Sequence, residues 1–198
     1  MYKKYIKRYL DIILSLVGLL IGIIPMGIMA VIIFIEDPAS PVFTQKRIGK
    51  NRKYFKLYKF RTMRKDAPRD IPTHLFKDAD RYLLKCGRIF RKTSLDELPQ
   101  LFNILKGDMS LIGPRPALWN QDDLMVEREK YGANSVLPGL TGWAQVNGRD
   151  ELSIPDKAKL DGEYVKKLSF RMDLKCFLKT IGNVIKCKDV VEGSKKVK

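Results

Sequence analysis

Cysteine and histidine are scarce in this sequence of 198 residues, which has three cysteines and one histidine. Cys86, Cys176 and Cys187 include no CxxC pair, so the spacing predicts neither a disulfide framework nor a zinc site. Thiols without such spacing are typical of a reducing compartment. His74 has no evident partner for a catalytic triad in its sequence neighbourhood, and we interpret it as a surface loop residue.

Acidic residues are also in the minority, with 22 against 38 lysines and arginines, which gives a formal net charge of +16. This excess predicts a negatively charged partner: nucleic acid, anionic lipid or a phosphorylated substrate. The chain contains no nucleic-acid recognition module, and its aromatic residues do not follow an RNA-binding sheet motif. We therefore expect anionic membrane lipid and phosphorylated substrates as partners, and no nucleic acid. Hydrophobic residues make up 45% of the chain, which excludes intrinsic disorder.

Charge is entirely absent from residues 12–35, a stretch of 24 residues. About 20 apolar residues are enough for a helix to cross a bilayer, so this stretch predicts a membrane helix. A cleaved signal peptide fits poorly, because Glu36, Asp37 and Pro38 follow in place of a small-residue cleavage site.

Positive charge lies on both sides of this apolar stretch. The basic residues are Lys3, Lys4, Lys7 and Arg8 before it, and Lys46, Arg47, Lys50, Arg52 and Lys53 after it. Because such residues keep the adjoining chain in the cytoplasm, two basic flanks favour a re-entrant helix that returns to the face it entered. Pro25, between Gly22 and Gly27, is the predicted break, since proline lacks an N–H and clashes with the preceding turn. A spanning helix that contains a proline is the alternative.

The remainder of the chain predicts a small domain in which helices predominate. Val42–Ile48 and Tyr54–Phe60 are the expected strands of a β-hairpin that turns at residues 49–51. Helices are predicted over residues 77–91, 97–105 and 120–131, and residues 135–150 are glycine-rich and irregular. We expect an α+β fold, mostly α, with a re-entrant membrane helix, a β-hairpin and interfacial amphipathic helices around a small cytoplasmic core.

A basic amphipathic helix is predicted near the C-terminus. Its apolar residues recur at helical spacing, and they are Phe170, Leu174, Phe177, Leu178, Ile181, Val184 and Ile185. Lysines occupy other positions of the same segment. The apolar residues pack either against the protein core or into the lipid interface, where the lysines suit anionic headgroups.

Two adjacent carboxylates stand among basic residues in the segment 91–100. Asp96 and Glu97 lie near a predicted helix start, which is formed either by a capping box from Ser94 or by residues 98–99. The N–H groups and the dipole at such a start favour bound phosphate. An aspartate carboxylate can attack phosphorus when arginine, lysine or Mg²⁺ neutralises the phosphate charge. The alternative is that both carboxylates only stabilise the first helical turn.

Arg115 is fixed between two prolines in the sequence Gly-Pro-Arg-Pro. A guanidinium on such a stiff backbone is preorganised for phosphate, whose oxygens match its fork of donors. Lys59 and Arg61 add two cations at the end of the second strand, and Arg149 closes the glycine-rich segment. These three cations either bind phosphate as well or form part of a solvated surface.

Six stretches of the chain together resemble the bacterial sugar transferase family, the small monotopic phosphoglycosyl transferases. In chain order they are VFTQKRIG (42–49), KFRTM (59–63), RKTSLDELPQL (91–101), KGDMS (106–110), GPRP (113–116) and PGLTGWAQVNGR (138–149). Their shared order along almost the whole chain makes the resemblance specific. It favours catalysis over the simpler interpretations of the single motifs.

The resemblance implies a two-step transfer. Asp96 would attack the β-phosphorus of a UDP-sugar with release of UMP, and the phosphosugar would then pass to a polyprenyl phosphate such as undecaprenyl phosphate. It implies that Glu97 assists in proton transfer or in placing Mg²⁺, for which Asp96 is also a candidate ligand. Lys59, Arg91 and Arg115 match family positions that bind phosphate or nucleotide, and Arg61 is a weaker match.

The resemblance further implies one catalytic domain over residues 1–198, with the re-entrant helix in 1–37 and the cytoplasmic and interfacial part in 38–198. The expected location is the bacterial cytoplasmic (inner) membrane, with the active site on its cytoplasmic face, where such enzymes start capsule, exopolysaccharide and glycan assembly. Many relatives carry a serine before the membrane proline, whereas Ile24 precedes Pro25 here, which weakens the predicted break. Two other functions are open: a membrane-anchored basic binding protein without catalysis, and a UDP-sugar hydrolase.

Overall fold

A computed structural model describes residues 1–68, 79–148, 151–185, 191–192 and 195–196. The described chain is mostly helical with small sheets, which confirms the predicted α+β class. Cys86 and Cys176 are free thiols. His74, Cys187 and Arg149 lie outside the described residues, so their predicted roles stay predictions.

The helices of the described chain follow one another in this order: α1 (Lys7–Glu36), α2 (Ala79–Tyr82), α3 (Lys85–Lys92), α4 (Gln100–Lys106), α5 (Asp122–Glu129), α6 (Ile154–Lys166) and α7 (Phe170–Ile185). The strands are β1 (Val42–Ile48), β2 (Tyr54–Phe60), β3 (Ser110–Ile112), β4 (Ala117–Leu118), β5 (Gly139–Thr141), β6 (Val191–Glu192) and β7 (Lys195–Lys196).

The predicted β-hairpin is confirmed at both of its boundaries. β1 and β2 pair antiparallel, from Val42 opposite Phe60 to Ile48 opposite Tyr54. The short strand β4 joins the other edge of β1, with Leu118 opposite Arg47. Since β4 directly follows the proline-flanked Arg115, this pairing carries that arginine to the hairpin.

The apolar N-terminal segment forms one helix, α1, whose 30 residues extend about 45 Å. The helix continues through Pro25, so the predicted interruption of helical structure there is not formed. One missing backbone hydrogen bond does not end the helix, because the turns after it are packed. Met29 and Ile33 are buried in a cluster with side chains of β2 and α3.

Both ends of α1 are bound to the same body of the protein. At the N-terminal end, Arg8 donates to the carbonyls of Ile104 and Leu105 at 2.6 and 3.0 Å, at the end of α4. At the C-terminal end, Glu36 accepts the backbone N–H groups of Lys85 and Cys86 at 2.6 and 3.0 Å, which caps α3. The helix therefore lies along the body over its whole length.

The outward face of α1 exposes large apolar side chains over most of its length. They are Ile13, Leu14, Leu16, Val17, Leu20, Ile21, Ile23, Ile24, Ile28, Val31, Ile32, Phe34 and Ile35. Exposed apolar surface of this extent marks a site of contact with lipid or protein. By length and composition α1 is also able to cross a membrane.

The helix predicted over residues 77–91 was wrong, because two helices occupy its described part. The chain is extended between α2 and α3, where Leu83 pairs with Met63 and the Leu84 N–H donates to the carbonyl of Thr62 at 3.0 Å. Gly87 keeps α3 close to this segment, since a Cβ atom there would lie 2.2 Å from the Thr62 carbonyl oxygen. α4 ends as predicted at Gly107, which has a left-handed φ of 91°.

β5 and α6 are among the elements that the sequence analysis did not predict. β5 lies within the segment predicted to be irregular, and it pairs parallel with β3. α6 follows Ser153, whose hydroxyl accepts the backbone N–H of Asp156 at 3.3 Å, with Pro155 in the first turn. A serine cap followed by proline is a recognisable start signal for a helix, and it was present in the sequence.

α7 confirms the predicted amphipathic helix, but its apolar periodicity does not mark the core. Met172 and Cys176 are buried with Ile112, Trp143 and Tyr164. The exposed large apolar residues are Phe170, Leu174, Phe177, Leu178, Ile181 and Val184. The proposal that these residues pack against the core was therefore wrong, and lipid contact is the alternative that fits their exposure.

Candidate active site

The two adjacent carboxylates lie on a single 3₁₀ turn, Leu95–Glu97, between α3 and α4. Ser94 begins this turn in the left-handed conformation, with a φ of 58°, and its side chain does not cap the helix. The capping box with Glu97 is thus absent, and α4 starts after Pro99. Asp96 is buried, with 6% of its surface exposed, whereas Glu97 is half-buried.

Three of the predicted cations surround Asp96. Lys59 comes from the end of β2, Arg91 from the last turn of α3, and Arg115 from the turn between β3 and β4; all three attract the Asp96 carboxylate. Arg115 also forms an ion pair with Glu97, with 3.1 Å between Nη2 and Oε1. Residues from three separate stretches of the sequence, 59–63, 91–101 and 113–116, therefore meet at one site.

The electrostatic balance of the site favours proton exchange near neutral pH. Burial raises the pKa of Asp96 to about 6, and the neighbouring charge of Glu97 adds to this rise, against the lowering by the three cations. Burial and the charge of Arg91 lower the pKa of Lys59 to about 8, although Asp96 and Glu97 oppose this effect. At neutral pH Asp96 is mostly ionised, which is the form that a nucleophile requires.

The cations of the site are held by neighbours that are themselves buried. Arg91 donates from Nε to the hydroxyl of Thr62 at 2.8 Å. The carbonyl of Arg115 accepts a hydrogen bond from Arg128 at 3.0 Å, and Arg128 in turn is paired with Asp161 at 2.7 Å. Arg128 and Asp161 are 6% and 1% exposed, so a buried ion pair fixes the backbone of Arg115.

Arg61 has a different environment. Its guanidinium is paired with the Asp37 carboxylate and donates to the carbonyls of Ala39 and Ser40 at 3.2 and 2.8 Å. These bonds fasten the loop that leaves α1. The structure thus places Arg61 at the exit of α1 and does not bring it to Asp96.

One residue of the site was missed in the sequence. Arg47, in β1, interacts with the charges of Arg115 and Glu97, and its Nη1 donates to the carbonyl of Pro116 at 3.0 Å. It stands within the matched stretch 42–49, yet nearly seventy positions before Arg115. Only the pairing of β1 with β4 reveals that the two arginines are neighbours.

The oxygen donors of the site determine whether it can bind Mg²⁺. The described residues include no group of three or more histidine, cysteine, aspartate or glutamate side chains that could hold a metal. Asp96 and Glu97 supply adjacent carboxylate oxygens, however, and Mg²⁺ commonly binds through one or two carboxylates together with substrate phosphates and water. The pair therefore fits Mg²⁺ bound jointly with a diphosphate, and does not fit an all-protein metal site.

The residues of this site lie within a region that matches a known protein family. The bacterial sugar transferase family matches residues 2–187. The chain is 49% identical over 147 residues to an uncharacterised sugar transferase, EpsL, of Bacillus subtilis, covering 74% of this chain and 71% of the relative. It is 36% identical over 187 residues to the UDP-N-acetylgalactosamine-undecaprenyl-phosphate N-acetylgalactosaminephosphotransferase of Aeromonas hydrophila, covering 91% of this chain and 44% of the relative.

A third relative is the undecaprenyl-phosphate glucose phosphotransferase of Komagataeibacter xylinus, with 39% identity over 186 residues, 88% of this chain and 35% of the relative. The chain thus spans less than half the length of two of these three relatives. The match to the family nevertheless includes every described residue of the site, from Arg47 to Arg115. The chain belongs to the bacterial sugar transferase family.

Proposed function

We propose that this protein transfers a sugar 1-phosphate from a UDP-sugar to undecaprenyl phosphate or a similar polyprenyl phosphate, and releases UMP. The observation that carries the proposal is a buried carboxylate, Asp96, among Lys59, Arg91 and Arg115. Such a cluster suits a negatively charged diphosphate at an oxygen nucleophile. Relatives named as undecaprenyl-phosphate sugar phosphotransferases support the same reaction.

The transfer takes place in two displacements at one phosphorus atom. A carboxylate oxygen of Asp96 attacks the β-phosphorus, the bond from this phosphorus to the bridging oxygen breaks, and UMP leaves with that oxygen. The phosphosugar is then bound to Asp96 as an acyl phosphate. A phosphate oxygen of the lipid acceptor attacks the same phosphorus, and the Asp96 carboxylate is released.

The surrounding residues neutralise phosphate charge and assist proton transfer. Lys59, Arg91 and Arg115 neutralise the phosphate oxygens on which charge accumulates during both displacements. Glu97 holds Arg115 in place by their ion pair and stands beside the nucleophile, where it can accept or return a proton. Polyprenyl-diphosphate sugar is the product, and this is the entry reaction of a membrane-based glycan assembly.

A screen of UDP-sugars tests the proposal directly. Detergent-purified protein should release UMP from at least one UDP-sugar, and sustained release should depend on added polyprenyl phosphate. Release that continues at the same rate without the lipid would identify a UDP-sugar hydrolase. No release from any UDP-sugar would favour a binding protein without catalysis.

The proposed site faces the cytoplasm, where UDP-sugars are made, and both ends of α1 are proposed to lie on that side of the membrane. Support comes from the bonds of Arg8 and Glu36, which hold the two ends of α1 against α4 and α3. If α1 crossed the bilayer, the parts of α4 and α3 to which its two ends are bound would lie on opposite faces of a hydrocarbon layer about 30 Å thick. The charged residues of the body would then be drawn into hydrocarbon, which is energetically unfavourable.

We therefore predict that a cysteine inserted directly after Met1 and a cysteine at Lys53 are labelled from the same side of the membrane. Both positions are exposed, and Lys53 lies in the hairpin turn that follows α1. An impermeant maleimide should label neither position in spheroplasts and both in inverted vesicles, in a background in which Cys86, Cys176 and Cys187 are replaced. Labelling of the Met1 cysteine alone in spheroplasts would instead establish a spanning helix.

Mg²⁺ is proposed to be held by Asp96 or Glu97 together with the diphosphate of the donor. When bound, the ion supplies positive charge to the phosphate oxygens at the reaction centre. The residues of the chain bind and orient the donor, and Lys59 and Arg115 contact phosphate oxygens of the donor that the ion does not bind. Hard oxygen ligands of this kind favour Mg²⁺ over zinc.

This assignment predicts that EDTA reduces UMP release to background and that added Mg²⁺ restores it, whereas added Zn²⁺ does not. Calorimetry provides a measurement that is independent of turnover: Mg²⁺ should strengthen UDP binding to the wild-type protein and have a weaker effect on a Glu97→Gln variant. Full activity in EDTA would contradict a role of the metal in the transfer.

A further inference from the structure

We propose that Arg47 binds the diphosphate of the donor together with Arg115. The inference deepens the proposed function and rests on it, because it names a further phosphate-binding residue of the same site. Three features of Arg47 carry it: its position next to the Arg115 turn, the fixation of its guanidinium, and the absence of a bonded carboxylate partner in the part of the chain that the structure describes.

The first feature is position. Arg47 lies in the middle strand of the three-stranded sheet, between β2 and β4. Its Nη1 donates to the carbonyl of Pro116, the residue that follows Arg115, at 3.0 Å. Its charge interacts with Arg115, Glu97 and Lys59. The side chain therefore lies beside the turn of Arg115, within reach of the charges of Glu97 and Lys59.

The second feature is fixation. Nε and Nη2 of Arg47 both donate to the side-chain oxygen of Gln45, at 3.1 and 2.6 Å, and Gln45 is itself buried, with 8% exposed. Together with the bond to Pro116, these contacts within the described part of the chain involve three of the five N–H donors of the guanidinium. A guanidinium held from two sides is preorganised, and its other donors are oriented without further loss of rotamer freedom.

The third feature is the nature of its partners. Two buried arginines of the described chain are paired directly with carboxylates, Arg61 with Asp37 and Arg128 with Asp161, and Arg8 donates to the last carbonyls of α4, where the helix dipole supplies partial negative charge. Arg47, by contrast, donates only to neutral oxygens among the described residues. A half-buried cation without a bonded counter-charge is energetically unfavourable because it is desolvated, and a bound anion would offset this desolvation.

Charge balance points to the size of that anion. The site contains four cations, Arg47, Lys59, Arg91 and Arg115, and two carboxylates, Asp96 and Glu97. The surplus is two positive charges when all six groups are ionised. The diphosphate of a UDP-sugar carries two negative charges, one on each phosphate, and would complete the balance. A lone phosphodiester would leave one positive charge.

A structural alternative is that Arg47 only supports the Pro116 carbonyl and thereby the turn of Arg115. The two roles differ in what they predict for ligands with and without phosphate. Loss of a phosphate contact weakens UDP binding and leaves uridine binding unchanged, whereas a displaced turn alters the binding pocket for both. Bonds to a charged group correspond to about a ten- to hundredfold change in affinity.

The experiment compares Arg47→Met and Arg47→Lys in the full-length, detergent-purified protein, with Arg52→Met as the matched control. Arg52 lies in the turn of the same hairpin, half of its side chain is exposed, and it forms a long ion pair with the exposed Asp122 at 3.8 Å. UDP and uridine are titrated separately by calorimetry, and the KM for a UDP-sugar is measured by UMP release. Thermal unfolding of each variant checks the fold.

We expect Arg47→Met to weaken UDP binding by about ten- to a hundredfold and to raise KM by a similar factor, with uridine binding unchanged and kcat less affected. Arg47→Lys should weaken UDP binding by about half as much in free energy as Arg47→Met, because an ammonium keeps the positive charge but not the forked arrangement of N–H donors. Arg52→Met should behave as the wild type. If Arg47→Met fails to fold, the comparison of UDP and uridine in Arg47→Lys decides.

Unchanged UDP affinity in the folded Arg47 variants overturns the assignment, and so does an equal loss for UDP and uridine. These outcomes are separate from failure of the proposed function. A wild-type protein that binds UDP through Arg47 and transfers no sugar phosphate would refute the transfer and retain the phosphate site. A wild-type protein that transfers sugar phosphate, with Arg47 variants that bind UDP normally, would refute the assignment alone.

Discussion

Replacement of Asp96 by asparagine is expected to reduce UMP release by at least about a thousandfold and to abolish a covalent adduct. The wild-type protein mixed with UDP-sugar alone should gain the mass of one sugar phosphate, because the first displacement does not need the lipid. The linkage should be sensitive to hydroxylamine, as expected for an acyl phosphate. Asparagine has nearly the same shape as aspartate, but an amide is a poor nucleophile. Intact-protein mass spectrometry and UMP release provide the two measurements.

Two further variants make this result specific. Asp122→Asn removes an exposed carboxylate far along the chain and should change neither the adduct nor turnover. Glu97→Gln should turn over slowly and still accumulate adduct if Glu97 acts mainly in the second displacement. An adduct that persists in Asp96→Asn, or that maps to another peptide, would move the nucleophile elsewhere. Sequential kinetics without any adduct would mean that the lipid phosphate attacks the UDP-sugar directly.

The pH dependence of adduct formation follows from the same residue. Burial and the charge of Glu97 raise the pKa of Asp96 to about 6, and only the ionised carboxylate attacks phosphorus. The rate of adduct formation should therefore rise with pH through about 6 and level off at higher pH. An ordinary aspartate, with a pKa of about 3.9, would give no change over this range. Stopped mixtures analysed by mass spectrometry at a series of pH values distinguish the two.

Local signals in the sequence predicted much of the fold. Two short runs of residues on either side of the turn at 49–51 predicted both strands of the hairpin at their observed ends, and Gly107 marked the end of α4, because a left-handed residue stops a helix. The helix over residues 77–91 was not predicted correctly, since the break at Leu83 depends on a pairing with Met63, some twenty positions earlier. A periodicity count within one segment contains no information about such contacts.

In the candidate site, too, some residues could be predicted from the sequence and others depended on contacts between distant segments. Asp96, Glu97, Lys59, Arg91 and Arg115 were recognisable because the motifs that carry them resemble a family, and the structure brings all five together. The resemblance could not distinguish the role of Arg47 from that of Arg61, since both arginines lie in stretches that match the family. Their roles depend on their partners in space: a neutral glutamine for one and the Asp37 carboxylate for the other.

Replacement of Arg115 by lysine is expected to cost roughly 2–4 kcal/mol of transition-state stabilisation, by analogy with the loss of one preorganised donor. Arg115 is fixed at three levels: flanking prolines restrict its backbone, Arg128 holds its carbonyl, and Glu97 binds its Nη2. A lysine ammonium keeps the charge but cannot bind Glu97 and phosphate through one planar group. The loss should therefore appear in kcat and in kcat/KM alike, measured as UMP release.

The control for Arg115→Lys is Arg52→Lys, which makes the same chemical change in the hairpin turn and should leave the rate unchanged. Single-turnover adduct formation separates the two displacements, because a slow first step lowers the rate of adduct formation itself. Arg115 approaches Asp96 from the turn between β3 and β4, whereas Lys59 comes from β2 and Arg91 from α3, so neither can move into its place without displacing its own contacts. Near-normal adduct formation and turnover in Arg115→Lys would therefore mean that Arg115 only holds Glu97, and that the phosphate charge is neutralised by Lys59, Arg91 and Arg47.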